Sequence, residues 1–308
     1  MAFTALDVKT LREMTGCGML DCKNALTEND GDMDKAVEYL REKGLASAAK
    51  KAARIAAEGV VAASYCSKCK VGAVVEVNSE TDFVAKNEDF KAFAKLCADV
   101  VIKDNPADVD ALMACTTEDG KTLTEVLQDI QLKIRENLKV RRFERVEGDV
   151  ATYVHGGGTI GVLVKFDTDV ADKEGFEEYG KNIAMQIAAV NPLYVCEHCV
   201  PAEVLDHEKE IIKAQLENDP KMAGKPDVAK EKIVEGKISK YYKENCLVDQ
   251  EYVKDPDLDV KGYTEKVAKE LGGSIKICQF VRMEKGEGIE KKQENFAEEI
   301  AKQINGTK

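Results

Sequence analysis

The chain has 308 residues, 44% of them apolar, and carries a formal charge of -12 with a pI near 5.0. Its length and apolar share suit two or three domains with real cores, and no apolar run approaches the roughly 20 residues of a membrane helix. The start lacks the order of a signal peptide, so a cytoplasmic address is expected; the acidic balance argues against direct nucleic acid and favours a basic protein surface as partner.

Helical spacing comes first. In "LDVKTLREMT", Val8, Leu11 and Met14 fall at helical steps, and Gly16 and Gly18 then break the pattern. A second helix starts in "MLDCKNALTEN", and Asp32 can cap a third, "MDKAVEYLREKG", which Gly44 is expected to end. Three helices this short bury only a modest core, so the segment reads as a recognition module. A connecting helix, "ASAAKKAARIAAEG", is expected next, with Lys50, Lys51 and Arg54 giving it a basic face that ordinary solvation also explains.

After Gly59 strands take over. "VVAASY" and "VGAVVEV" form a predicted hairpin, and "DFKAFAKLCADVVI" returns to helical spacing through Phe90, Phe93, Leu96 and Val100. The same grammar recurs: "EGDVATYVHGGGTIGVLVKF" repeats "EGVVAASYCSKCKVGAVVEV", with Gly148 answering Gly59 and Gly161 answering Gly72, each 89 positions on. A duplicated core of two related α+β units explains the repeat.

The copies part between hairpin and helix. Phe90 answers Phe176 at a distance of 86, so the first loop, "NSETDFVAKNEDF", is three residues longer and holds Phe83 where the second copy has only "TDVAD". An aromatic that the sister copy does without, flanked by Asp82 and Lys86, reads as an exposed anchor for a partner; the alternative is a ring tucked under its own loop.

Third strands match as well, Phe280 in "SIKICQFVRME" answering Phe143 in "NLKVRRFERVE" at 137 positions, so about fifty extra residues enter the second copy. They read as a helical hairpin: Val204, Leu205, Ile211, Ile212 and Leu216, a turn through Pro220, Gly224 and Pro226, then Val228, Ile233, Val234, Ile238 and Tyr241. The last segment, "NFAEEIAKQIN", sets Phe296, Ile300 and Ile304 on one narrow helical stripe.

Catalytic motifs are missing: there is no P-loop, no nucleophile elbow and no zinc-protease helix, and "HGGGTIG" reads as a hairpin turn in which Gly156, Gly157 and Gly158 permit positive φ beside an exposed His155. Ten cysteines without a secretion signal read as reduced thiols. Two pairs, Cys66/Cys69 in "CSKC" and Cys196/Cys199 in "CEHC", leave a thiol or zinc protein as the alternative reading, which metal analysis with thiol counting discriminates.

Together "LREMTGCGMLDCKNAL", "EVNSETDFVAKN", "HGGGTIGVLV" and "GEGIEK" resemble the elongation factor Ts family, bacterial guanine nucleotide exchange factors for elongation factor Tu, across essentially the whole chain. The resemblance implies an α+β protein without enzymatic activity, cofactor or metal. It implies a ubiquitin-associated-like three-helix bundle with its connector (1–57), one core subdomain (58–147), a second (148–199 with 251–287), an inserted antiparallel helical hairpin (200–250) and a C-terminal helical module (288–308). It further implies that Phe83 enters an apolar pocket of the partner GTPase near its magnesium ion, with Asp82 assisting and Thr81 and Val84 holding the loop. Lys23, Leu11 and Arg12 would touch a helix of the same GTPase domain, His155 a β-barrel domain of the partner. Ile134 and Val253 match family contact positions, although Arg135 stands where the family commonly has Gly and Lys254 replaces an apolar neighbour. The stoichiometry stays open between a homodimer and a 2:2 complex with the partner.

Overall fold

The computed structural model describes residues 3–51, 54–222 and 225–290; the expected terminal helix over 295–305 lies outside them. Three helices open the fold: α1 (Ala5–Thr15), α2 (Met19–Glu28) and α3 (Met33–Lys51). A capping box starts α1, in which Thr4 and Asp7 each accept the other's backbone N–H, and Gly16 ends it at φ 68°. Leu11, Cys22, Ala25, Leu26 and Ala36 make a fully buried centre.

The third helix does not stop at Gly44; it continues to Lys51, so no separate connecting helix starts at Ala46. Packing explains the glycine. A Cβ at Gly44 would lie 1.7 Å from Leu132 Cδ2 of α7 (Leu123–Ile134), so the missing side chain is what lets α3 seat on that helix. Alanine there gains about 1 kcal/mol of helix propensity but collides with Leu132. Overpacking of this kind costs about 1–3 kcal/mol, so Gly44→Ala should lower the thermal midpoint and hasten proteolysis of the bundle.

Two antiparallel sheets follow. The first has the order β1 (Glu58–Cys66), β2 (Val71–Ser79), β3 (Lys139–Glu147); the second β4 (Asp149–His155), β5 (Ile160–Thr168), β8 (Ile275–Glu284). Val75 pairs with Phe143 in the first and Val164 with Phe280 in the second, which are the repeat distances of 89 and 137 read from the chain. Even the register shift recurs, at Glu76/Val77 and again at Lys165/Phe166. The helices α5 (Glu88–Asp104) and α8 (Phe176–Val190) cover one face of each sheet through Phe90, Phe93 and Cys97, and through Phe176, Tyr179 and Ile183.

Because strand side chains alternate between faces, β2 sends Ala73, Val75 and Val77 to its helix and Val74 to the other side, where the sheets meet. Val61, Val74 and Val146 face Val150, Leu163 and Met283, the same three positions of each copy. A Cβ at Gly72 would lie 2.8 Å from Val150, and one at Gly161 2.4 Å from Val61, so matched glycines admit the close approach from both sides.

The inserted segment forms α9 (Ala202–Glu217) and α10 (Asp227–Asn245), which pack through Ile212, Leu216, Val234 and Ile238, with Tyr242 rather than Tyr241 joining the seam. Ile211 and Val228 are exposed instead: Ile211 lies about 100° around the helix from Ile212, and Val228 sits in the first turn of α10. The chain returns through a small ribbon, β6 (Glu251–Tyr252) and β7 (Asp255–Asp259), and α11 (Val260–Leu271). With α4 (Asp82–Ala85) and α6 (Val109–Ala114), these complete the α-helices and strands among the described residues. α6, α7 and α11 lie outside the segments whose apolar spacing marks them as helices.

Candidate functional site

Phe83 stands on α4, a single helical turn between β2 and α5, and is 78% exposed. Its neighbours are not free to follow it. Thr81 donates to the Glu136 carboxylate from its backbone N (3.0 Å) and its hydroxyl (2.6 Å), and Ser79 Oγ donates to Thr81 O (2.9 Å). The Glu80 carboxylate accepts from Asn137 N at 2.6 Å and from Arg54 at 3.3 Å. On the other side of the ring Val84 is buried in the first core. The turn is clamped at both ends while the aromatic side chain faces outward.

Lys86 lies over that ring, its ammonium 5.7 Å from the centroid and 3.2 Å from the Asp82 carboxylate. Both charges are well exposed, so the pair stabilises little and opens readily. The second copy shows the contrast. In "TDVAD" Val170 is fully packed and Asp169 accepts from Ser274 N at 2.7 Å, so the corresponding segment is drawn into its own core.

Arg12 and Lys23 are exposed on the bundle, but Leu11 is 0% exposed and has no surface to offer a partner. Its helical face points into the bundle core, which corrects its expected contact role. The apolar surface is instead Leu6, Met14, Met19 and Leu20, which the sequence reading passed over or, for Met14, placed on the inner stripe. Met19 and Leu20 open α2 directly after Gly18, one turn ahead of the buried Cys22, Ala25 and Leu26, and both side chains stay in solvent.

Ile134 is half-buried against the first core, and Arg135 after it closes α7 at φ 64°. That left-handed position favours glycine. Arg135 tolerates it while pairing with Asp21 of α2 beside Gly18, and so fastens the bundle to α7. His155 is exposed at the end of β4 with its Nδ1 2.9 Å from Tyr153 Oη. The three glycines after it have φ of 58°, 67° and 107°, as the hairpin reading requires. Gly158 O also accepts from Val61 N at 2.7 Å, which ties this turn to the first sheet. Val253 is exposed at the turn between β6 and β7, its N–H held by Gln186 Oε1 at 2.8 Å. Lys254, itself exposed, donates to Asn182 Oδ1 at 2.7 Å.

One anchoring group went unread. Glu76, fully buried in β2, accepts from Asn78 Nδ2, Arg141, Arg142 and Gly286 N, the last at 2.7 Å. Arg142 also reaches Glu287 at 2.9 Å, so this cluster holds the "GEGIE" stretch against the first sheet. A carboxylate inside the apolar run "VGAVVEV" was its signal.

The thiol pairs stay apart. Cys66 and Cys69 flank the turn from β1 to β2, while Cys196 and Cys199 flank a short 3-10 turn before α9. Among the described residues no three His, Cys, Asp or Glu side chains gather where they could hold a metal ion, and none of their helices is long and apolar enough to cross a membrane.

A family model described as elongation factor TS matches residues 80–287. Curated proteins called elongation factor Ts are similar over nearly the whole chain. That from Clostridioides difficile is 51% identical over 98% of this chain and 98% of its own length. The Clostridium perfringens protein is 52% identical over 97% and 98%, and one from Clostridium botulinum 49% over 98% and 99%.

Proposed function

Since the chain belongs to the elongation factor Ts family, we propose that it binds elongation factor Tu and promotes GDP release during translation elongation, in the cytoplasm and without covalent chemistry. The observation that carries the reading is the exposed Phe83 on a turn clamped by Glu136 and Asn137. A rigid presenter loses little freedom on binding, so more of the ring's burial free energy reaches the partner.

Nucleotide held by a phosphate loop and magnesium leaves slowly because many charge-assisted contacts must break together. An exchange factor works by binding the nucleotide-free conformation better than the loaded one, and linkage then weakens nucleotide by the same factor. In this reading Phe83 wedges into an apolar pocket near the partner's magnesium site, Asp82 assists once Lys86 swings away, and Thr81 and Val84 hold the turn. Arg12 and Lys23 add the bundle's contact, supported by Leu11 from beneath; His155 and Val253 add contacts from the second unit, and Ile134 supports the first.

The architecture divides accordingly: a ubiquitin-associated-like bundle to residue 57, two related subdomains over 58–147 and over 148–199 with 251–287, the hairpin at 200–250 inserted in the second, and a C-terminal module from 288. The deciding experiment is release of labelled GDP from elongation factor Tu with and without this protein. Acceleration is expected; binding without acceleration would make the chain an adaptor and refute exchange. The -12 charge should also make association salt-dependent. An on-rate that falls between low and high ionic strength is expected, and a flat one would remove electrostatic steering.

A further inference from the structure

Cys196 Sγ and Cys199 Sγ lie 2.9 Å apart, with the turn between them already closed by Cys199 N donating to Cys196 O at 2.9 Å. A disulfide needs about 2.05 Å between sulfurs, so less than about 1 Å of side-chain movement separates the thiols from a bond. Cys199 is exposed and Cys196 half-buried behind it. We propose that Cys196 and Cys199 form a redox-active dithiol that closes to an intrachain disulfide by exchange with a low-molecular-weight disulfide.

The roles follow from access. The exposed Cys199 thiolate attacks one sulfur of the small disulfide, forming a mixed disulfide and expelling one thiolate, which takes up a proton. Cys196, its proton released to solvent, then attacks Cys199 Sγ, forming the Cys196–Cys199 bond and expelling the second small thiol. The two protein thiols are oxidised by two electrons and the small disulfide is reduced to two thiols. Cys246, fully buried nearby, is the competing partner, and burial first, then Asp249 and the pair itself, push its thiol up to about 12.

The position gives the bond a structural meaning. Tyr194 bridges to Cys246 in parallel, Leu247 N donates to Tyr194 O at 2.9 Å, and Val248 N to Val195 O at 3.1 Å. The pair therefore sits where the chain leaves the second core for α9, against the segment by which it returns from α10. Closing the bond would stiffen the base of the helical hairpin.

The test incubates the full chain with oxidised glutathione, quenches by alkylation in denaturant, and reads intact mass and peptide maps. Expected is a Cys196–Cys199 link, with two of the ten thiols lost, or four where Cys66 and Cys69 also oxidise. Cys196→Ser should instead retain glutathione on Cys199, and Cys199→Ser should form no link at Cys196. Ten unchanged thiols, a link found only at Cys66–Cys69, pairing with Cys246, or a wild-type adduct on Cys199 that never resolves would each overturn the proposal.

Discussion

Phe83→Ala should leave the protein folded and slow its stimulation of GDP release by about ten- to a hundredfold. The range follows from the burial of one Phe side chain, about 1.5–3 kcal/mol, at about 1.4 kcal/mol per decade. The fold should not notice, because the ring is 78% exposed and nothing in the core leans on it. Val84→Ala is the contrasting control. That side chain is buried beside α5, so its loss should lower the unfolding midpoint and affect release only through the turn's position. Stopped-flow release of fluorescent GDP, with the exchange factor at saturation, separates the two. A Phe83→Ala rate equal to wild type would take the wedge out of the mechanism.

Glu76→Ala should be the most damaging single change to stability. Removing one partner of a buried ion cluster costs about 3–5 kcal/mol, a large part of the roughly 5–15 kcal/mol that holds a domain together. Here it would leave Arg141 and Arg142 facing a hole and free Gly286 N from its acceptor. The urea midpoint should fall sharply, and residues near Gly286 should be the first to exchange hydrogen.

The cluster also sets a pH dependence. Burial alone would raise the Glu76 carboxyl, but the bonds from Asn78, Gly286 N, Arg142 and Arg141 together outweigh it and hold the group below its ordinary 4.5. A carboxyl depressed in the folded state stabilises fully above its unfolded value and loses that contribution as the pH falls through the folded one. Wild type should therefore lose stability below about pH 4.5 more steeply than Glu76→Gln. Parallel acid titrations of the two would show the cluster to be unimportant.

Much of this architecture can be read along the chain because its copies check each other. Gly59 with Gly148 and Gly72 with Gly161 set one offset, Phe143 with Phe280 another, and the strand register obeys both. Phe83 was legible for the same reason, since a repeat shows where one copy has something the other lacks. What escaped depends on contacts between distant segments. Gly44 reads as a stop signal until Leu132, far along the chain, is seen to need its space. Leu11 reads as part of a recognition motif, yet a helical stripe alone does not say which of its members faces inward. Arg135 reads as a departure from a family pattern until its pairing with Asp21 supplies a reason to accept the left-handed backbone.

The face-to-face packing of Val61, Val74 and Val146 on Val150, Leu163 and Met283 is self-complementary, as a twofold homodimer contact must be. As separate chains, two such sheets would meet through this patch and part on dilution. Fusing them in one polypeptide makes the encounter intramolecular and independent of protein level. It also releases each half from having to stay identical, so one could acquire a protruding ring while the other accepted a long helical arm.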